Sequence, residues 1–131
     1  MPLGDVLDER VEAVAKEIVD AAYRVHHELG PGLLESVYEA CLYHELRKRG
    51  LGVSRQVLVP IHYDGLVLDD GLRIDLLVEN CVVIEVKAAE KNHPVFQAQL
   101  LTYLKLADQR LGLLINFNVE YIKDGIKRII R

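Results

Sequence analysis

Cysteine is scarce in this chain, with two residues in 131, Cys41 and Cys81, set far apart. Two thiols cannot hold an iron–sulfur cluster by themselves, and no CxxC or HxxxH spacing suggests structural zinc. A reducing, cytoplasmic setting is the expectation. Long apolar runs are missing too. No stretch approaches the roughly 20 residues needed to cross a bilayer. The opening "MPLGDVLDERVEA" has no basic n-region, so neither a membrane partner nor a signal peptide is expected. Internal repeats and low-complexity segments are absent. The chain also lacks a surplus of positive charge. Its formal net charge of −4 argues against strong nonspecific binding to duplex nucleic acid. That deficit is local: residues 1–30 carry seven acids against three bases and hold all of it. The remainder is balanced, with basic clusters at Arg47-Lys48-Arg49 and at Lys123, Lys127, Arg128 and Arg131. A local basic rim therefore stays open.

What is present suits one domain over residues 1–131, since half the residues are hydrophobic. Residues 5–29 read as an amphipathic helix, with Leu7, Val11, Val14, Ile18, Ala21, Ala22, Val25 and Leu29 at helical spacing and Asp5 as N-cap. "GPG" at 30–32 breaks the chain. A second helix is expected over about 33–49, ended by Gly50. The pattern then turns to strands. "SRQVLVPIHY" is one, with Pro60 marking an edge or a bulge. "DG" at 64–65 signals a hairpin and "LVL" follows it. "LRIDLLV" and "CVVIEVKA" come next. A third helix is expected over about 94–108, with Pro94 in its first turn and Asn92 or His93 as cap. "LGLLINF" and "GIKRIIR" close the list of strands. The order α-α-β-β-β-β-α-β-β implies an α/β fold, a mixed β-sheet flanked by helices.

"RIDLLVENCVVIEVKA", residues 73–88, is the most apolar stretch, yet it contains Asp75, Glu85 and Lys87. A core charge without a partner costs several kcal/mol. Side chains alternate along a strand, so Glu85 and Lys87 share one face. The turn between the two strands decides whether Asp75 joins them. A two-residue turn at Glu79-Asn80 would leave Asp75 and Glu85 on opposite faces. A three-residue turn, Glu79-Asn80-Cys81, puts Asp75 opposite Glu85 on one face, and Asn80 tolerates the left-handed backbone such a turn needs. The odd-numbered turn is the expectation. Two adjacent carboxylates repel each other, and burial raises their pKa. A divalent cation resolves this, and magnesium, which takes one or two carboxylates and keeps several waters, suits the pair. Such an ion polarises a phosphoryl oxygen and lowers the pKa of bound water. Lys87 would orient that water or balance charge on the phosphate. The Val86 carbonyl is a further candidate ligand. The alternative reading is a set of structural ion pairs, Asp75 with Arg73 or Lys87 and Glu85 with Lys87.

Elsewhere, Gln99 and Tyr103 stand four apart on one face of the third helix. Gln99 can bond a nucleophilic water or a phosphate, or be ordinary helix surface. Glu35, near the start of the second helix, can reach toward the metal. As residue N3 behind Gly32 it would instead cap the helix. His26 can bond the loop that places Glu35 or be structural, and His93 can cap the third helix.

These residues resemble the PD-(D/E)XK nuclease superfamily, whose motif is an Asp followed on the next strand by (D/E)-x-K. "QLLTY" is similar to the Q-x-x-x-Y element of its exonuclease-like branch. "GLLESVY" at 32–38 resembles the G-x-x-E-x-x-Y signature of the GxxExxY family, and the likeness covers nearly the whole chain. The resemblance implies a restriction-endonuclease-like core, with Asp75 and Glu85 as metal ligands and Lys87 as the catalytic lysine. It further implies Glu35 as the helix acid and Gln99, with Tyr103, as support. Magnesium, with manganese as a substitute, is the implied cofactor, and no iron–sulfur cluster is implied. Nucleic acid, more readily DNA, is the implied partner. The alternative is a weak or inactive nuclease-fold module for nucleic-acid or protein binding. A homodimer through the acidic first helix or the "SRQVLVPIHY" edge is also compatible with the sequence.

Overall fold

The computed structural model describes residues 7–131. Helix α1 (Glu9–Leu29) starts where the Asp8 side chain accepts the backbone N–H groups of Arg10, at 2.8 Å, and Val11, at 3.3 Å. The helix therefore begins later than the apolar spacing suggests, and Asp5 lies outside the described residues. Its inner face is Val14, Ala15, Ile18, Ala21, Ala22 and Val25. Helix α2 (Glu35–Lys48) also begins later than expected. Leu34 occupies the N-cap without a side-chain bond, so Glu35 is the first helical residue and not N3. At the other end, Gly50 N–H bonds the Arg47 carbonyl and Leu51 N–H that of Leu46, closing the last turn.

Strands β1 (Val53–Tyr63), β2 (Leu66–Val78), β3 (Val82–Lys87), β4 (Leu111–Asn116) and β5 (Ile126–Ile130) form one sheet in the order β1-β2-β3-β4-β5. The β3–β4 pair is parallel and the others antiparallel. Parallel neighbours need a long crossover, and helix α3 (Pro94–Leu106) supplies it. His93 is its N-cap, with Nδ1 accepting the Val95 N–H at 3.2 Å. A short 3₁₀ turn, Ile122–Gly125, leads into β5. The element order is the expected one, with "LVL" and "LRIDLLV" running on as the single long strand β2. Pairing with β1 continues across a bulge, where the register passes from Val59↔Leu72 to Ile61↔Leu68 and Pro60 faces residues 69–71.

Helices cover both faces of the sheet. On β3, Val82, Ile84 and Val86 pack with Ile18 of α1 and Leu42 of α2, while Val83 packs with Leu100 and Leu104 of α3. Every residue from Val82 to Val86 is buried, so Glu85 lies in the interior with them. No helix among the described residues is long and apolar enough to cross a membrane.

Candidate active site

The turn after β2 has the odd length. Val78 pairs with Val82, leaving Glu79, Asn80 and Cys81 between them. Glu79 and Asn80 take left-handed backbone, with φ of 50° and 53°, and the Cys81 N–H bonds the Val78 carbonyl at 3.0 Å. The register Leu76↔Ile84 then brings Asp75 level with Glu85.

The regular ladder stops at that level, and side chains replace it. The Val86 N–H donates to Oδ2 of Asp75 at 2.9 Å, and the Asp75 N–H donates to Oε1 of Glu85 at 3.3 Å. Each carboxylate thus takes a backbone donor from the other acid's strand. The faces of β2 also exchange here. Leu76 joins the core under α1 and α2, whereas Ile74, two residues away, joins the core under α3. Strict alternation would put both on one side. On β1, Gln56 falls opposite Asp75, between the pairs Arg55↔Leu76 and Val57↔Ile74, and its φ is 51°. Its amide donates to Oε1 of the buried Glu39 at 2.6 Å, and Arg55 donates to Oε2 at 3.0 Å. The sheet is irregular on both sides of Asp75: Gln56 interrupts the β1–β2 ladder, and the β2–β3 ladder ends at Leu76↔Ile84.

Burial, reinforced by the charge of Asp75 and a hydrogen bond with its side chain, pushes the Glu85 carboxyl up from 4.5 to about 8. Lys87 and the Asp75 N–H pull the other way but do not prevail. Among the described residues no lysine or arginine reaches ion-pair distance of either acid, so the structural ion-pair reading does not hold. Lys87 lies half-buried on the same face, with Nζ 4.8 Å from the centre of the Phe96 ring. Glu35 arrives from the start of α2. Partial burial of its carboxyl raises its pKa; Lys87 lowers it, Asp75 raises it, and a hydrogen bond from the Ala88 N–H lowers it again. On α3, Gln99 Nε2 donates to the Tyr103 hydroxyl at 2.8 Å. Burial and then the Glu85 charge raise the Tyr103 pKa. The structure thus brings Asp75, Glu85, Lys87, Glu35, Gln99 and Tyr103 together from four elements.

Asp75 and Glu85 fit a hard divalent cation. They are two oxygen donors on neighbouring strands, and burial beside Asp75 raises the pKa of Glu85, a cost that a cation between them would relieve. No cluster of three or more His, Cys, Asp or Glu suited to a metal ion occurs among the described residues. The remaining positions would fall to water and backbone carbonyls, as magnesium favours and structural zinc does not.

Sequence reasoning missed Asn116, which is 1% exposed at the end of β4. Its signal was an amide closing the apolar run "LGLLIN", the same kind of anomaly that exposes Glu85. Nothing in the sequence signals that the Phe96 ring of α3 meets Lys87.

A mixed sheet with helices on both faces, gathering two carboxylates and a lysine where two central strands part, is a restriction-endonuclease-like, nuclease-type framework. The chain belongs to the PD-(D/E)XK nuclease superfamily, whose family model matches residues 12–129. No curated protein and no solved structure matches it.

Proposed function

We propose that this chain is a magnesium-dependent nuclease of the GxxExxY branch, one domain over residues 1–131, that hydrolyses phosphodiester bonds and prefers DNA to RNA. Superfamily membership supports a nucleic-acid substrate and dependence on a divalent metal. The observation that carries the reading is the meeting of Asp75 and Glu85, each bonded to the other's strand, with Lys87 two residues on.

Asp75 and Glu85 would hold the ion, with the Val86 carbonyl as a further ligand. When bound, the ion supplies charge that polarises a phosphoryl oxygen and lowers the pKa of water. Lys87 offers a point charge on the same face, placed to orient the attacking water or to balance charge on the phosphate. Glu35, with its raised pKa, is placed to accept a proton from that water. Gln99 holds the Tyr103 hydroxyl, and the pair would line the α3 side of the site, where the Glu85 charge is felt.

The test is calorimetric titration of manganese and magnesium into wild type and Glu85→Gln, followed by cleavage assays on mixed DNA and RNA pools. Wild type should bind and cut, and Glu85→Gln should lose both. Lys87→Ala should keep the ion and lose about two to three orders of magnitude in rate, the scale of one removed charge-stabilising group. Ion binding with no turnover on any pool would support a second reading, a nuclease-fold module that binds nucleic acid or protein. Within that second reading, the net charge of −4 favours a protein partner over duplex nucleic acid.

A further inference from the structure

Two residues of the site, Lys87 and Glu35, come from segments far apart in sequence, and one four-residue stretch touches the backbone around both. The stretch is Asn116-Phe117-Asn118-Val119, where β4 ends. Toward Lys87, the Phe117 N–H donates to the Lys87 carbonyl at 2.9 Å. Asn116 grips Ala89 on both backbone groups, its Oδ1 accepting the N–H and its Nδ2 donating to the carbonyl, each at 3.0 Å. The same Nδ2 donates to Oδ1 of Asn92 at 3.2 Å, and the Asn118 N–H donates to Oδ1 of Asn116 at 3.1 Å. Toward Glu35, Asn118 Oδ1 accepts the Gly32 N–H at 3.1 Å. The Phe117 ring stacks on Tyr38, with centroids 4.7 Å apart, and the Tyr38 hydroxyl bonds Gly30 and Leu33. His26 Nε2 donates to the Val119 carbonyl at 2.7 Å.

We infer that Asn116 and Asn118 are positioning residues that fix Lys87 and Glu35 relative to each other: Asn116 holds the 87–89 backbone, and Asn118 holds the loop that delivers Glu35. The inference rests on the nuclease reading for its catalytic consequence, but its geometry stands apart from it. A backbone that must leave a strand and turn toward α3 has no ladder partner beyond Lys87. A side-chain amide, with one donor and one acceptor side, imitates a strand neighbour at Ala89 and extends the pairing by two residues. The Phe117 N–H bond to the Lys87 carbonyl depends on that alignment. Neither asparagine side chain bonds this amide, so it reports on the alignment and not on the loss of a direct partner.

The experiment compares Asn118→Ala, Asn118→Asp, Asn116→Ala and Glu35→Ala in two measurements. The first is amide hydrogen exchange at Phe117, with the melting midpoint as a check on folding. Exchange should quicken at least tenfold in Asn118→Ala and stay slow in Asn118→Asp, which keeps the acceptor for Gly32. Asn116→Ala should behave as Asn118→Ala does; if it does not fold, the Asn118 pair decides. The second is cleavage. Asn118→Ala should lower kcat at least tenfold with manganese affinity unchanged, and should cost nothing further on a Glu35→Ala background. Unchanged protection of Phe117 in the folded Asn118→Ala protein overturns the inference, as does a full additional loss on the Glu35→Ala background. Wild type that cuts no nucleic acid overturns the nuclease reading instead, and Phe117 exchange then decides the inference alone.

Discussion

The main-chain N–H of Asp75 donates to Oε1 of Glu85 at 3.3 Å, so the strand that carries one acid also holds the other. The reciprocal bond, from Val86 N–H to Asp75 Oδ2, completes the exchange. Both carboxylates are therefore oriented by backbone. On the proposed reading, a cation entering there would meet little reorganisation, and its principal obstacle would be the proton on Glu85.

Because burial raises the Glu85 pKa to about 8, an ion bound at the proposed site would have to displace a proton at any lower pH. Apparent manganese affinity should rise about tenfold per pH unit from pH 6 toward 8 and level off above it. Calorimetry in two buffers of different ionisation enthalpy should show about one proton released per ion near pH 7. A pH-independent affinity, or no proton release, would place the ion elsewhere. Glu85→Gln should remove both the binding and the slope.

The metal-free protein should show the opposite trend in stability. An acid whose pKa is higher folded than unfolded binds more protons in the native state, so stability falls as pH rises between the two values. For Glu85 the window runs from 4.5 to about 8. Each unit of difference is about 1.4 kcal/mol, so the loss across the window reaches several kcal/mol. Urea midpoints measured in chelator should drop from pH 5 to 8 and then flatten. Glu85→Gln should abolish most of that fall and be more stable than wild type at pH 8. A midpoint independent of pH in wild type would contradict the buried, protonated acid.

Much of this architecture was legible because local chemistry announced it. Asn80 and the odd turn length set the β2–β3 register, and Pro60 marked the bulge, since it has no N–H for the ladder. Glu85 stood out as a charge in an apolar run. Other features were hidden because they depend on contacts between distant segments. The start of α1 was misplaced because Asp5 and Asp8 are equally good caps on paper. Nothing local says that the β1 pairing carries on past residues 69–71 and joins two expected strands into one. The exchange of faces between Ile74 and Leu76 depends on Gln56 in another strand and on Glu39 in a helix. The double grip of Asn116 on Ala89 depends on where the crossover helix α3 leads the chain.

The turn before β5 presses against that grip. A Cβ on Gly125 would overlap the Asn116 carbonyl oxygen and come within 3.1 Å of Cγ2 of Val119. Gly125→Ala should cost about 1–3 kcal/mol or more, the scale of overpacking. Its thermal midpoint should fall by about 3 °C or more for each kcal/mol. Adding Val119→Ala should not restore it, because the main clash is with backbone and not with a side chain that can move. Full rescue by the double variant would show that the backbone there gives way easily.

Tyr38 provides the cleanest separation of packing from hydrogen bonding. Its ring is fully buried and stacked on Phe117, and Tyr38→Phe keeps that contact. The hydroxyl, however, donates to the Gly30 carbonyl at 2.6 Å and accepts the Leu33 N–H at 3.1 Å. Removing it leaves two backbone groups without that partner and should cost about 1–3 kcal/mol. Tyr43→Phe is the control. Its hydroxyl accepts only from the exposed side chain of Arg47, and surface changes of that kind stay within about 0.5 kcal/mol. In nuclease assays Tyr38→Phe should also slow turnover, because the Gly30–Leu34 loop that leads into Glu35 loses its anchor. Manganese affinity, which the proposal assigns to Asp75 and Glu85, should not change. Equal effects of the two phenylalanine substitutions on urea midpoints would mean that the Tyr38 hydroxyl does not hold the loop.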